Sequence, residues 1–80
     1  MTADLELTDE QYDVADRIGR LLEANPARLW TPSALGRRTK ASKGDVLAAL
    51  RWMELHVFLV GVGNGSWRKY RARRFGEGRA

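Results

Sequence analysis

The side chains of this 80-residue sequence that could do chemistry are mostly cations, and several fall at helical spacing. Lys43, Leu47 and Arg51 recur every four residues, so a helix would set them on one stripe. Val46, Leu50 and Met53 form an apolar stripe largely on the opposite side of the same segment. Arg37, Arg38 and Lys40 lie just ahead of it, and Arg68, Lys69 and Arg71 lie beyond. Cations gathered in this way suit a polyanion, whose counterions they displace.

Other chemistry is poorly supplied. The chain has no cysteine, which excludes disulfides, thiolate zinc sites and thiol nucleophiles. One histidine, His56, excludes a histidine-rich metal cluster, and as the end of a helical pattern it suits the helix dipole. With no paired carboxylates and no activated nucleophile in view, no enzymatic activity, metal or cofactor is expected. Gly61-Val62-Gly63-Asn64-Gly65 superficially resembles a phosphate loop, but it lacks the Gly-Lys-Ser/Thr that should follow and precedes a strand pattern. It reads as a turn. Asn64-Gly65-Ser66 fits the glycosylation triplet, which matters only on a secretory route.

A chain this short buries only roughly 60% of the surface of its unfolded form, enough for one modest core. One domain is expected over residues 1–72, with a flexible start at 1–7 and a flexible basic tail at 73–80. The net charge of +4 conceals a steep gradient. Residues 1–25 hold seven acids against Arg17 and Arg20, a balance of −5, whereas residues 26–80 hold twelve bases against three acids, a balance of +9. Such a gradient favours a polyanion on one side of the molecule, and nucleic acid is the expected partner. The bland alternative is that the basic half only keeps the protein soluble. No apolar run approaches the ~18 residues of a membrane span, and an acidic N-terminus has the wrong sign for a secretory leader. No membrane partner is expected, and the location is expected to be cytoplasmic, nucleoid-associated if DNA is bound.

Three capped helices read directly from the sequence. Thr8-Asp9-Glu10-Gln11 is a capping box, flanked by Leu7 and Tyr12 as a hydrophobic staple. Val14, Ala15, Ile18, Leu21 and Leu22 then form one stripe, and Asn25-Pro26 ends the helix, predicted over 9–24. Ala27-Arg28-Leu29-Trp30 reads as a short strand or connector. Thr31-Pro32 opens a second helix over 32–39, with Trp30 and Leu35 as its staple and Ala34, Leu35 and Gly36 turned inward. Gly36 costs such a helix about 1 kcal/mol, and close approach of a neighbouring helix is the expected reason for it. Ser42 caps a third helix over 43–55, whose core stripe is Val46, Ala49, Leu50 and Met53. Two capped helices this close together must cross at a large angle.

The period then changes. Val57 to Val62 is β-branched and aromatic, and Ser66 to Arg71 continues after Gly63-Asn64-Gly65. With Asn64 and Gly65 as the central turn residues, Leu59 faces Tyr70 and Val57 faces Ala72 on the core side. Trp67 then packs across the hairpin against Val62, or else stacks on an unpaired base.

Helix, short strand, helix, helix and hairpin is the element order of the winged helix-turn-helix family, which the segment from Thr31 to Arg71 resembles. The resemblance rests on the capped second helix, the tight turn, Ser42 opening Val46…Leu50…Met53-Glu54, and the apolar strand running into a Gly-Asn-Gly wing. Lys40 stands where family members often have glycine, and Thr39 where they usually have an aliphatic residue. The resemblance implies an α+β fold of three helices and a C-terminal β-hairpin wing, and binding of double-stranded DNA by a small transcriptional regulator or the DNA-binding module of a mobile-element or replication protein. It places Ser42, Lys43, Leu47, Ala48 and Arg51 on the groove-facing side of the third helix. Arg51 would bond guanine, Leu47 would touch a thymine methyl, and Lys43 and Ser42 would suit a phosphate. Arg37, Arg38 and Lys40 would clamp the backbone. Asn64, Trp67, Arg68, Lys69 and Arg71 would form the wing, with Arg68 reaching a minor groove. For Lys43 and Arg51 the alternative is a solvated helix face.

Trp52, Leu55, Phe58, Val60 and Val62 exceed what so small a core can cover, which points to a homodimer or a protein partner through this surface. The competing function is therefore a winged-helix protein-interaction module with incidental basic charge.

Overall fold

The computed structural model describes residues 6–73. Helix α1 (Asp9–Ala24) is followed by α2 (Pro32–Thr39), α3 (Lys43–Leu55), strand β1 (Leu59–Val62) and strand β2 (Lys69–Ala72). The result is a small α+β domain in which three helices precede a two-stranded antiparallel hairpin. The positions 74–80 of the expected tail, and 1–5 of the expected flexible start, lie outside the described residues. Leu7, assigned to that start, instead packs half-buried against the core.

Each helix begins where its cap dictates. The Thr8 hydroxyl accepts from the Gln11 amide at 3.2 Å, and the Gln11 side chain accepts from the Thr8 amide at 3.1 Å. Thr31 and Ser42 cap α2 and α3 in the same way, accepting from Ala34 and Asp45. All three helices occupy the ranges expected from sequence.

The stops of α2 and α3 use left-handed backbone, whereas α1 ends at Asn25 with φ −137°. Lys40, at φ 58°, adopts the conformation that glycine supplies elsewhere, and the amides of Lys40 and Ala41 both return to the Gly36 carbonyl. Val57, at φ 60°, does the same after α3, with Phe58 N–H donating to Met53 and Val57 N–H to Glu54. This is the Schellman pattern with a β-branched residue at the strained position. Thr39 is buried where an aliphatic residue was expected, and it remains tolerable because its hydroxyl donates to the Leu35 carbonyl at 2.7 Å. The carbonyl of Thr39 in turn accepts from Arg17 of α1 at 2.8 Å, which ties the end of α2 to α1.

The core consists of Val14, Ala15, Ile18 and Leu22 from α1, Leu35 from α2, and Val46, Ala49, Leu50 and Met53 from α3, closed by Trp30, Leu59 and Tyr70. A Cβ at Gly36 would meet the Ala41 carbonyl oxygen at 3.6 Å and Val46 Cγ2 at 3.7 Å, which is ordinary contact. No neighbouring helix excludes a side chain there, contrary to the sequence expectation.

The hairpin departs from expectation in register. Leu59 pairs with Ala72 and Gly61 with Tyr70, two residues away from the pairing that an Asn64-Gly65 turn imposes. The positive φ values fall at Gly63 (92°) and Gly65 (57°), while Asn64 is extended at φ −126°. The connection is therefore a longer loop carrying a single 3₁₀ turn, Gly65–Trp67. An even shift preserves the faces, so Leu59 and Tyr70 still point into the core. Val57, expected opposite Ala72, sits in the turn after α3 instead. The segment 27–30, read as a short strand or connector, is a connector carrying one bridge, in which Trp30 and Tyr70 exchange backbone hydrogen bonds of 2.7 and 2.8 Å. The Arg28 amide is turned back to Asn25, so pairing does not extend.

Candidate nucleic-acid interface

The buried stripe of α3 turns its other side to solvent. Lys43 and Arg51 are exposed, Leu47 is 37% exposed, and Ala48 is half-buried. Ser42 is exposed and its oxygen already accepts from the Asp45 amide, which leaves the hydroxyl proton to donate. The acid of the first turn, Asp45, accepts from Gln11 Nε2 at 3.2 Å.

Arg37, Arg38 and Lys40 are exposed at the end of α2, immediately before α3. Among the described residues, none of Arg37, Arg38, Lys40, Lys43, Arg51 and Lys69 takes part in an ion pair. Arg38 and Arg28 do lie over the Trp30 ring, at 5.6 and 3.8 Å from its centroid. The arginines of α1 are spent locally, since Arg17 pairs with Asp13 and Arg20 with Asp16. The cations without an ion pair among the described residues thus include those at the end of α2 and on α3, together with Lys69 of β2.

The hairpin distributes its cations differently from the sequence expectation. Arg68 does not extend outward toward a groove. Its guanidinium folds back onto α3, where it pairs with Glu54 and donates to the Gly63 carbonyl at 2.8 Å. A Cβ at Gly61 would lie 2.6 Å from Arg68 Cζ, so this seat exists only because residue 61 is glycine. Desolvation opposes the charge of Arg68, but hydrogen bonds and attraction from Glu54, aided by Tyr70, outweigh it and raise the guanidinium pKa above the usual arginine value. Arg71 is half-buried and donates to the Ala72 carbonyl, while Lys69 and Asn64 are exposed. Trp67 does not pack against Val62: the 3₁₀ turn leaves it 82% exposed.

The surplus apolar residues form a cluster of rings. Trp52 stands edge-on to Tyr12 at 5.3 Å and tilts against His56 at 4.7 Å and Phe58 at 5.4 Å. Phe58 and Leu55 remain more than half exposed, whereas Trp52 and Val60 are half-buried. A cavity of about 590 Å³ lies between Tyr12 and Gly19 of α1 and Trp52, Met53 and Phe58. A second, of about 500 Å³, is lined by the charged Glu6, Arg51 and Glu54 together with Leu7, Ala48 and Leu55 among others. Among the described residues no helix is long and apolar enough to cross a membrane.

Sequence reasoning missed Glu54, Gly61 and Arg28. For Glu54 the available signal was its spacing, three residues past Arg51 and seven past Leu47, which continues the exposed stripe. No protein-family model, curated protein or solved structure matches this chain.

Proposed function

We propose that this domain is a winged helix-turn-helix that binds double-stranded DNA with sequence preference. Helix α3 enters the major groove, and the end of α2 and the hairpin flank it on the backbone. The observation that carries the reading is the stripe of Lys43, Leu47 and Arg51, exposed on α3 about a quarter-turn round from its buried face and bordered by cations with no ion pair among the described residues. Arg51 offers a bidentate contact to guanine, Leu47 an apolar contact to a thymine methyl, and Lys43 with Ser42 a seat for a phosphate. Arg37, Arg38 and Lys40 hold the backbone, with Lys69 and Asn64 of the hairpin alongside. The mechanism is binding, with no bond made or broken.

Selection from a random duplex pool, followed by anisotropy titration, tests this. Wild type should bind random duplex at low salt and prefer its selected site. Arg51→Ala should erase ~1–3 kcal/mol of that preference, whereas Arg38→Ala should weaken all duplexes alike. Absence of binding to any duplex at low salt would sink the reading.

A second reading, a protein-interaction module, draws on one specific observation. Leu55 and Phe58 are exposed beside Trp52, and the cavity that Arg51 and Glu54 help to line also carries apolar Leu7, Ala48 and Leu55. A homodimer through this surface would give twice the single-chain mass in light scattering, and a heterologous partner would leave the chain monomeric and blind to duplex DNA.

A further inference from the structure

We propose that Glu54 is a brake on polyanion binding: it occupies Arg68 and withholds it from the phosphates of a duplex docked along α3. The inference rests on the DNA-binding reading and adds to it a residue of opposite charge. Glu54 continues the stripe of Leu47 and Arg51, so its partner sits at the edge of the same surface. Arg37, Arg38, Lys40, Lys43, Arg51 and Lys69 form no ion pair among the described residues, whereas Arg68 does. The bare backbone at Gly61 gives its guanidinium a fitted seat. The pair is accessible, with side chains 32% and 36% exposed, so exchange requires no opening of the core. Ion pairs at such exposure are weak. Carboxylate and phosphate offer a guanidinium the same paired acceptors, so an Arg68 released from Glu54 can take a phosphate in its place.

Anisotropy titrations of a random-sequence duplex against salt test the brake, using the full chain. Glu54→Gln should bind more tightly, and its log–log salt slope should be steeper by about 0.9, or about threefold more affinity lost over a fourfold rise in salt. Glu23→Gln removes the same charge from α1 and should keep the wild-type slope. Glu54→Gln combined with Arg68→Gln should return to it. The Arg68 Nε–Hε resonance should stay in place in wild type and move in Glu54→Gln on saturation with the duplex. An unchanged slope for Glu54→Gln, a steeper slope that survives in the double variant, or an Arg68 resonance that already moves in wild type overturns the brake while leaving DNA binding intact. Failure of wild type to bind at any salt overturns the underlying reading as well.

Discussion

Gln11 donates from Nε2 to Oδ1 of Asp45 at 3.2 Å, joining the first turn of α1 to the first turn of α3. The same amide closes the Thr8 capping box, so one side chain finishes a cap and fixes an angle between helices. Gln11→Ala removes both and should cost about 1–2 kcal/mol. The midpoint of thermal unfolding, followed by circular dichroism, should fall by roughly 4–8 °C per kcal/mol for a domain of this size. A fall of under about 0.5 kcal/mol would show that the bridge contributes little.

Lys40 and Val57 both occupy left-handed backbone that costs an L-residue about 1–2 kcal/mol. Val57→Gly should therefore raise stability, by up to about 1 kcal/mol after the extra freedom of glycine in the unfolded chain is deducted. Lys40→Gly should do the same while weakening duplex binding on every sequence, since a backbone-clamping charge is lost. Opposite movement of melting temperature and affinity is the expected signature. An affinity unchanged by Lys40→Gly would remove that residue from the interface.

Gly36 is exempt from the usual reason for a glycine inside a helix, because a methyl group there meets only ordinary contacts. Gly36→Ala should stabilise the protein by up to about 1 kcal/mol, read in urea as a higher midpoint with an unchanged slope. Destabilisation would mean that α2 and α3 approach more closely in solution.

Gly61→Ala places its methyl in the seat of the Arg68 guanidinium. Because the displaced atoms end a flexible side chain, stability should drop by less than about 1 kcal/mol. Released from Glu54, Arg68 should then reproduce the steeper salt dependence of Glu54→Gln. If Gly61→Ala keeps the wild-type slope, the seat does not hold Arg68 in check.

The caps and core stripes were legible because each is decided within a turn or two of helix. Thr8, Thr31 and Ser42 mark starts that hydrogen bonding enforces locally, and the spacing of Val46, Leu50 and Met53 marks the buried face. The exposed stripe of Lys43, Leu47 and Arg51 follows as its complement. The hairpin register was not legible, because Gly63 and Gly65 compete with Asn64 for positive φ and only the packed strands choose between them. Two consequences were lost with it: the exposure of Trp67 and the inward fold of Arg68. The Arg68–Glu54 pair spans fourteen residues, a separation at which no local pattern speaks.

Trp30 is sealed in the interior with no accessible surface, under the guanidiniums of Arg28 and Arg38, while Trp67 stands almost wholly in water. The intrinsic emission of the folded protein is therefore a composite of three indoles, Trp30 shielded from iodide, Trp67 open to it and half-buried Trp52 in between. Denaturation moves the first into the class of the second, and contact at the hairpin tip should dim only the second. One tryptophan spectrum can thus report separately on integrity and on encounter.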